Sequence, residues 1–304
     1  MKKGSKTVGL KENKNFLGIP KEYSDFETSK YVILPVPYEK TSTYGKGSRK
    51  GPEAILKASH EVELYDVALG METYKECGGI TTLSPTTFEV KKGESLATKL
   101  QDFVMHLLNE DKFVITIGGE HTSVVGAIYA YIEKFPKLTV VQFDAHSDLR
   151  DSYMNSKWNH ACAMARVLDK HKGKLIQVGI RSVGPEELDI RGKNSDRVVT
   201  YYAYDIKEDF GKIEKIIDDL TEYVYITFDC DVFDPSVIPA TGTPEPGGLT
   251  WEWVDGFFCE LSQRRKIVGF DVSELLPIPT LHHPQFIIAK LIYRIIGYIT
   301  KYQS

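Results

Sequence analysis

The sequence predicts a three-layer α/β/α fold around a mostly parallel sheet, on two observations. Apolar runs such as Leu138-Thr-Val-Val-Gln-Phe143 and Val224-Tyr-Ile-Thr-Phe228 are nearly continuous in β-branched and aromatic residues, as strands covered on both faces are. Helical-period segments lie between them, so strands and helices alternate. The run 31–37 reads as the first strand; a loop with Gly45, Gly47 and Gly51 follows, and Pro52 suits the first turn of a helix reaching Leu64. Helices are expected at 95–109, 122–134 and 161–171, and strands at 113–117, 138–143 and 175–178. The alternation continues with helix 185–191, strand 197–202, helix 211–220, strand 223–228, helix 250–262, strand 267–271 and a closing helix 284–300. Residues 1–28 are polar and aperiodic, and are expected to form an arm or surface wrap before one domain spanning 29–304. No internal repeat, low-complexity tract or long linker divides that domain.

Composition excludes several classes. The charges, 38 Lys+Arg against 42 Asp+Glu, leave a net of -4 with no long basic block, which argues against nucleic-acid and anionic-membrane partners. Cys77, Cys162, Cys230 and Cys259 are scattered without a C-x-x-C pair, which speaks against a zinc ribbon or redox dithiol and for reduced thiols. The basic N-terminus lacks the apolar stretch of a signal peptide, and no run approaches the ~18 apolar residues of a membrane span. A soluble cytoplasmic protein is expected.

Four of the expected strands end in hard metal ligands: 113–119 into Glu120-His121, 138–143 into Asp144-Ala-His-Ser-Asp148, 223–228 into Asp229-Cys-Asp231, and 267–270 into Asp271-Val-Ser-Glu274. In an open parallel sheet ligands bind outside the carboxyl ends of the strands, so these groups are placed to converge. Asp144, His146 and Asp148 stand at i, i+2 and i+4, one side of an extended stretch, as do Asp229 and Asp231. With His121 they make two imidazoles and four carboxylates. That set is too large and too oxygen-rich for one zinc, and suits two divalent ions, Mn²⁺ above Mg²⁺ because histidine is present. Two such ions at roughly 3.5–4 Å lower the pKa of a shared water, which makes the site hydrolytic. Each motif alone is common in loops, and a lone histidine is more often a core or surface residue; their joint fall at strand ends is what discriminates.

Gly118-Gly-Glu-His-Thr122, Asp144-Ala-His-Ser-Asp148, and Thr227-Phe-Asp-Cys-Asp-Val-Phe-Asp-Pro235 with Ala240-Thr-Gly-Thr-Pro-Glu-Pro-Gly-Gly248 resemble the three signatures of the ureohydrolase family, which comprises arginases, agmatinases and formimidoylglutamases. The likeness runs from about residue 30 to the last helix. It implies the arginase-like α/β/α fold and two Mn²⁺ ions, one on His121, Asp144, Asp148 and Asp229, the other on Asp144, His146, Asp229 and Asp231, with Asp144 and Asp229 bridging. It further implies that Glu274 receives the substrate guanidinium, that His160 shuttles protons near the leaving amine, and that the chain assembles as a homo-oligomer, a trimer or hexamer. Each role has a physical reason: a guanidinium carbon is a poor electrophile, a planar cation matches a carboxylate, and expelling an alkylamine needs a donor with a pKa near working pH.

Between Asp148 and His160, arginases place small polar residues, whereas this chain keeps Ser156 but has Arg150, Asp151, Tyr153, Lys157 and Trp158. The wording is most similar to microbial agmatinases, which implies agmatine split into putrescine and urea. Arg150 is the complication, since a cation facing the tail would suit 4-guanidinobutyrate or 3-guanidinopropionate; arginase and formimidoylglutamase activities are further alternatives within the family. A dinuclear metallophosphoesterase lacks its G-D and G-N-H-[DE] elements here, and a silent metal-binding subunit would not need the full ligand set. A Cys162–His160 nucleophile would leave six metal-type ligands unexplained. Gly45-Lys-Gly-Ser48 lacks the first glycine of a phosphate loop, and Tyr201, Tyr202 and Tyr204 read as strand and interface aromatics.

Overall fold

The computed structural model describes residues 9–303 except 87, 89 and 91; residues 1–8 of the expected arm lie outside the described residues. Among the described residues ten strands form: β1 (Tyr31–Val36), β2 (Tyr65–Asp66), β3 (Met71–Glu72), β4 (Ile80–Thr82), β5 (Phe113–Gly118), β6 (Thr139–Phe143), β7 (Leu175–Ile180), β8 (Val198–Tyr202), β9 (Tyr223–Asp229) and β10 (Lys266–Ser273). β2 and β3 make a small antiparallel hairpin, and the other eight form one sheet in the order β4-β1-β5-β10-β9-β6-β7-β8. Every pairing in that sheet is parallel. The expected three-layer fold is therefore found.

Strand periodicity builds the layers. On β6 and β9, Val141, Phe143, Val224, Ile226 and Phe228 join one buried apolar cluster while Val140 and Tyr225 join the other, because successive side chains leave a strand on opposite faces. Helices cover both faces; Gly93–Asn109 and Val125–Lys134 pack on one, and His283–Tyr302 and Trp251–Arg264 on the other. β5 and β6 are consecutive in sequence, yet β10 and β9 lie between them, which makes this the switch point where a crevice opens. No helix among the described residues is long and apolar enough to cross a membrane.

Some element boundaries differ from expectation. The helix opened by Pro52 runs Gly51–Ser59 and stops short of Leu64, because the Ser59 hydroxyl bonds Leu56 O at 2.6 Å and accepts Leu17 N–H at 2.8 Å, drawing the chain out of the helix. The edge strand β4 is too short to show a period. Part of the expected arm enters the core: Phe16 and Ile19 are fully buried, and Phe16 N–H donates to Thr82 Oγ1 at 2.8 Å.

The hairpin is tied to the last helix by charge. Buried Asp66 meets Arg294 Nε at 2.7 Å and Lys290 Nζ at 3.2 Å, and Arg294 also contacts Asp255. Burial works against the Asp66 charge, but the Arg294 and Lys290 cations hold its carboxyl below its ordinary value. Asp66→Asn is expected to lower unfolding free energy by roughly 3 kcal/mol, the low end for breaking a buried pair, since Arg294 keeps Asp255. Urea and thermal unfolding measure it, and a wild-type midpoint would refute the coupling.

Candidate metal centre and active-site pocket

The groups at the four strand ends meet in one crevice. His121 begins a one-turn 3-10 helix, His121–Val124, immediately after β5. Its Nδ1 lies 3.2 Å from Asp144 Oδ2, 3.1 Å from Asp148 Oδ2 and 3.6 Å from Asp229 Oδ2. His146 Nδ1 lies 2.9 Å from Asp231 Oδ2 and 3.7 Å from Asp144 Oδ1. Two sets of donor atoms are close enough to hold an ion each, His121 with Asp144 and Asp229, and Asp144 with His146 and Asp231, so Asp144 belongs to both.

The residues fit metal binding on an observation independent of the motif. His121 Nδ1 is buried among three carboxylates and makes no hydrogen bond, while its Nε2 is engaged with Thr227 Oγ1 at 2.9 Å. A ring nitrogen left bare in this way is what a metal ligand presents. Behind it, the Thr227 hydroxyl donates to Asp271 Oδ1 at 2.9 Å and the Tyr225 hydroxyl to Asp271 Oδ2 at 2.8 Å. A second polar thread fixes Asp144: Gln142 Nε2 donates to Asp144 Oδ2 at 2.8 Å, Gln177 Nε2 to Gln142 Oε1 at 2.6 Å, and Thr200 Oγ1 to Gln177 Oε1 at 2.9 Å. Asp231 Oδ1 accepts Ala145 N–H at 3.0 Å, tying β9 to β6.

Asp144, His146 and Asp148 do not form the extended stretch expected of them. The chain turns after β6, with His146 N–H on Asp144 Oδ1 at 2.6 Å and Asp148 at φ +53°. This turn, and not strand alternation, sends Asp144 and Asp148 toward His121 and His146 toward Asp231.

Electrostatics point the same way. Burial raises Asp229 far above the ordinary carboxylate range, and Asp231 and Asp144 raise it further. Burial and then Asp144 push Asp148 up to about 7. Burial opposes charge on Asp144 as well, but His121 and His146 hold that carboxyl low. Carboxylates this crowded are stable as anions only beside strong positive charge, which divalent ions supply.

Glu274, following β10, adopts φ +62°, with its N–H on Gly119 O and its Oε1 accepting His121 N–H, both at 2.8 Å. Burial, then Glu120, keep its carboxyl well above the ordinary range, a setting that favours a cationic partner. Glu274, His146, Asp231 and His160 all line one pocket of about 180 Å³, with Tyr153 and Arg150 on the wall beyond. His160 starts a 3-10 turn, His160–Cys162, whose N-cap Asn159 accepts Ala161 N–H. The sequence reading expected a histidine with a pKa near working pH. Burial first, and then the His146 charge, push His160 down to about 4, so its imidazole is neutral at pH 7 and takes a proton before giving one. Cys162 is buried away from the pocket lining, its thiol pushed up to about 12 by burial and by Asp148, which removes the thiolate that a cysteine mechanism needs.

Arg150, whose direction the sequence could not give, is paired. Its Nη1 lies 2.7 Å from Glu186 Oε1, its Nε 3.8 Å from Glu187 Oε2, and its guanidinium sits 4.8 Å above the Tyr153 ring. Glu187 is itself fixed by the N–H groups of Leu149 and Gly184. Glu187 and Thr41 carry no signal of their own in the sequence, and Tyr153 stands out there only as one member of the stretch between Asp148 and His160.

A model of the arginase family matches residues 29–297. The chain is 37% identical over 296 residues to an N(1)-aminopropylagmatine ureohydrolase of Synechocystis sp., covering 93% of this chain and 95% of that one. It is 31% identical over 278 residues to an agmatinase of Pyrococcus horikoshii, covering 90% and 93%. Among solved structures, the agmatine ureohydrolase of Thermoplasma volcanium superposes with a TM-score of 0.82 at 33% identity over 91% of this chain and 92% of that one.

The hydroxyl of Thr227 joins His121 to Asp271, so Thr227→Val leaves a ring N–H and a buried carboxylate short of partners. We expect metal affinity to fall about 10–100-fold, measured by competition with a chelator; unchanged affinity would show that the thread does not hold His121.

Proposed function

The chain belongs to the arginase family, and on that premise we propose that it hydrolyses a linear guanidino compound with a cationic tail, agmatine foremost, to urea and the free amine, putrescine for agmatine. It is a ureohydrolase of agmatinase type. We read 29–304 as its catalytic domain. The observation that carries the substrate choice is the paired state of Arg150. A guanidinium already matched by Glu186 and Glu187 offers no free charge to the carboxylate of 4-guanidinobutyrate, whereas Glu187, which lines the pocket, leaves an acid near an ammonium tail. Agmatine extended by an aminopropyl group is the second reading, favoured by the Synechocystis relative.

In this reading His121 and Asp148 would hold one Mn²⁺ and His146 and Asp231 the other, with Asp144 and Asp229 shared. Bound divalent ions supply Lewis acidity and lower the pKa of water to near neutrality. The chain's residues do the rest. Glu274, with Oε1 held by His121 N–H, turns its carboxylate to the guanidinium and orients the central carbon. The surrounding β-strands fix each group from behind, so little reorganisation is needed during reaction. As the bond from carbon to the alkyl nitrogen breaks, that nitrogen needs a proton, and the neutral His160 accepts one from the attacking water and passes it on.

Two experiments test this. With Mn²⁺ added, kcat/KM for agmatine and aminopropylagmatine should exceed that for arginine and 4-guanidinobutyrate at least about 10-fold, which needs only ~1.4 kcal/mol. Arg150→Ala should keep that order, because the acids remain; preference for arginine or 4-guanidinobutyrate in the wild type would overturn the substrate choice. His160→Ala should retain both ions and lower kcat by roughly 10²–10⁴, and loss of metal in that variant would make His160 a ligand instead.

A further inference from the structure

His160 is held from behind by a residue 119 positions earlier in the chain. Thr41 lies in the loop after β1, and its Oγ1 accepts the His160 backbone N–H at 2.9 Å and sits 3.2 Å from His160 Nδ1. The loop is itself pinned by Glu120, a fully buried carboxylate at the end of β5. Lys40 N–H and Thr41 N–H both donate to Glu120 Oε2 at 2.6 Å, and Thr122 Oγ1 donates to Oε1 at 2.5 Å. Burial raises the Glu120 carboxyl above its ordinary value, and the Thr122 hydroxyl, the Thr41 and Lys40 amides and, least, the neighbouring Thr41 hydroxyl favour its charge.

A threonine hydroxyl has one proton and two lone pairs. One lone pair is taken by the His160 amide. With the hydroxyl proton directed to the Glu120 carboxylate, the remaining lone pair meets Nδ1, which must then carry a proton. We propose that Thr41, anchored by Glu120, is a positioning residue that fixes the Nδ1–H tautomer of His160 and leaves Nε2 as a bare acceptor toward the pocket. The inference rests on the proton-transfer role given to His160. It explains how one contact serves both halves of a shuttle: Nδ1–H donates to Thr41 in the neutral ring and in the imidazolium alike, so the ring does not turn when Nε2 gains and then loses its proton. A hydroxyl donating to Nδ1 would have to reverse at each turnover. Tyr153, edge-on to the ring at 6.4 Å, borders it elsewhere.

The test reads the tautomer directly. Protein labelled with ¹⁵N in its 8 histidines and loaded with diamagnetic Mg²⁺ is compared with His160→Asn, which identifies the His160 signals. The wild type should show a protonated Nδ1 and an unprotonated Nε2. Thr41→Val should shift the ring to Nε2–H or a mixture and lower kcat for agmatine on the order of 10²-fold, the cost of a misplaced catalytic group, with KM and bound Mn²⁺ unchanged; Thr41→Ser should restore both. An Nε2–H ring in the wild type, or wild-type tautomer and kcat in Thr41→Val, would overturn the proposal, and the wild-type spectrum decides even if Thr41→Val misfolds. Since the spectrum needs no turnover, absence of urea release from every guanidino compound would sink the functional reading separately from the tautomer.

Discussion

Charge crowding at one sheet crevice governs the rest of the molecule. Four carboxylates and two imidazoles are drawn within a few ångströms, His121 Nδ1 alone having three carboxylate oxygens at 3.1–3.6 Å. Such a cluster repels itself, and burial sharpens the repulsion by removing water. It persists because most of its members are roped to the scaffold by hydrogen bonds that do not depend on their charge partners. Backbone N–H groups hold Asp144, Asp229, Asp231 and Glu274, and side chains inside the sheet hold Asp144 and His121. Repulsion that the scaffold withstands is what makes the site receptive to divalent ions and, at Glu274, to a planar cation.

The sheet supplies that rigidity at some cost to its own apolar regularity. Gln142, Gln177, Thr200, Thr227 and Asp271 occupy strand positions that hydrophobic residues could fill, and together they form two polar threads running away from the centre. Every segment is satisfied, which is the condition under which buried polar groups rigidify a core instead of weakening it. The eight-stranded order, with β10 and β9 inserted between β5 and β6, puts the ends of those threads at the switch point. The fold and the chemistry are therefore joined through strand interiors as much as through loops.

How much of this was legible in the sequence depends on distance along the chain. Strand and helix alternation was readable because burial on both faces writes continuous β-branched runs, and the six candidate metal ligands could be named because each closes such a run. The turn after β6 was not readable: Asp148 at φ +53° is a local conformation that no period announces. Contacts between remote loops were also hidden. Thr41 meets His160 across 119 positions, and Glu120 reaches Thr41 across 79, so neither residue's own surroundings in sequence disclose its use. Phe16 went into the core from a segment too polar to suggest it, because one aromatic ring inside an aperiodic stretch carries no pattern.

Arg150 shows why composition of a pocket wall is a poor guide to its charge. In sequence it is a cation placed where the substrate tail should lie, and it argues for an acidic tail. In the structure its guanidinium bonds Glu186, approaches Glu187, and rests on Tyr153, while Glu187 is fixed by two backbone amides. Arg150 and Glu187 both line the wall, with Glu186 pairing Arg150 from outside the lining, so the residue that pointed to a carboxylate has its charge already matched. Discrimination of this kind rests on which charges are left over after internal pairing, so the tail end of the pocket can be retuned by changing Glu186 and Glu187 without touching the groups proposed to bind metal and guanidinium. That separation matches the distribution of constraint in the fold: the metal centre and Glu274 are locked by four central strands, while the other end of the pocket is built from a loop and the first turn of helix Pro185–Lys193, where substitution disturbs least.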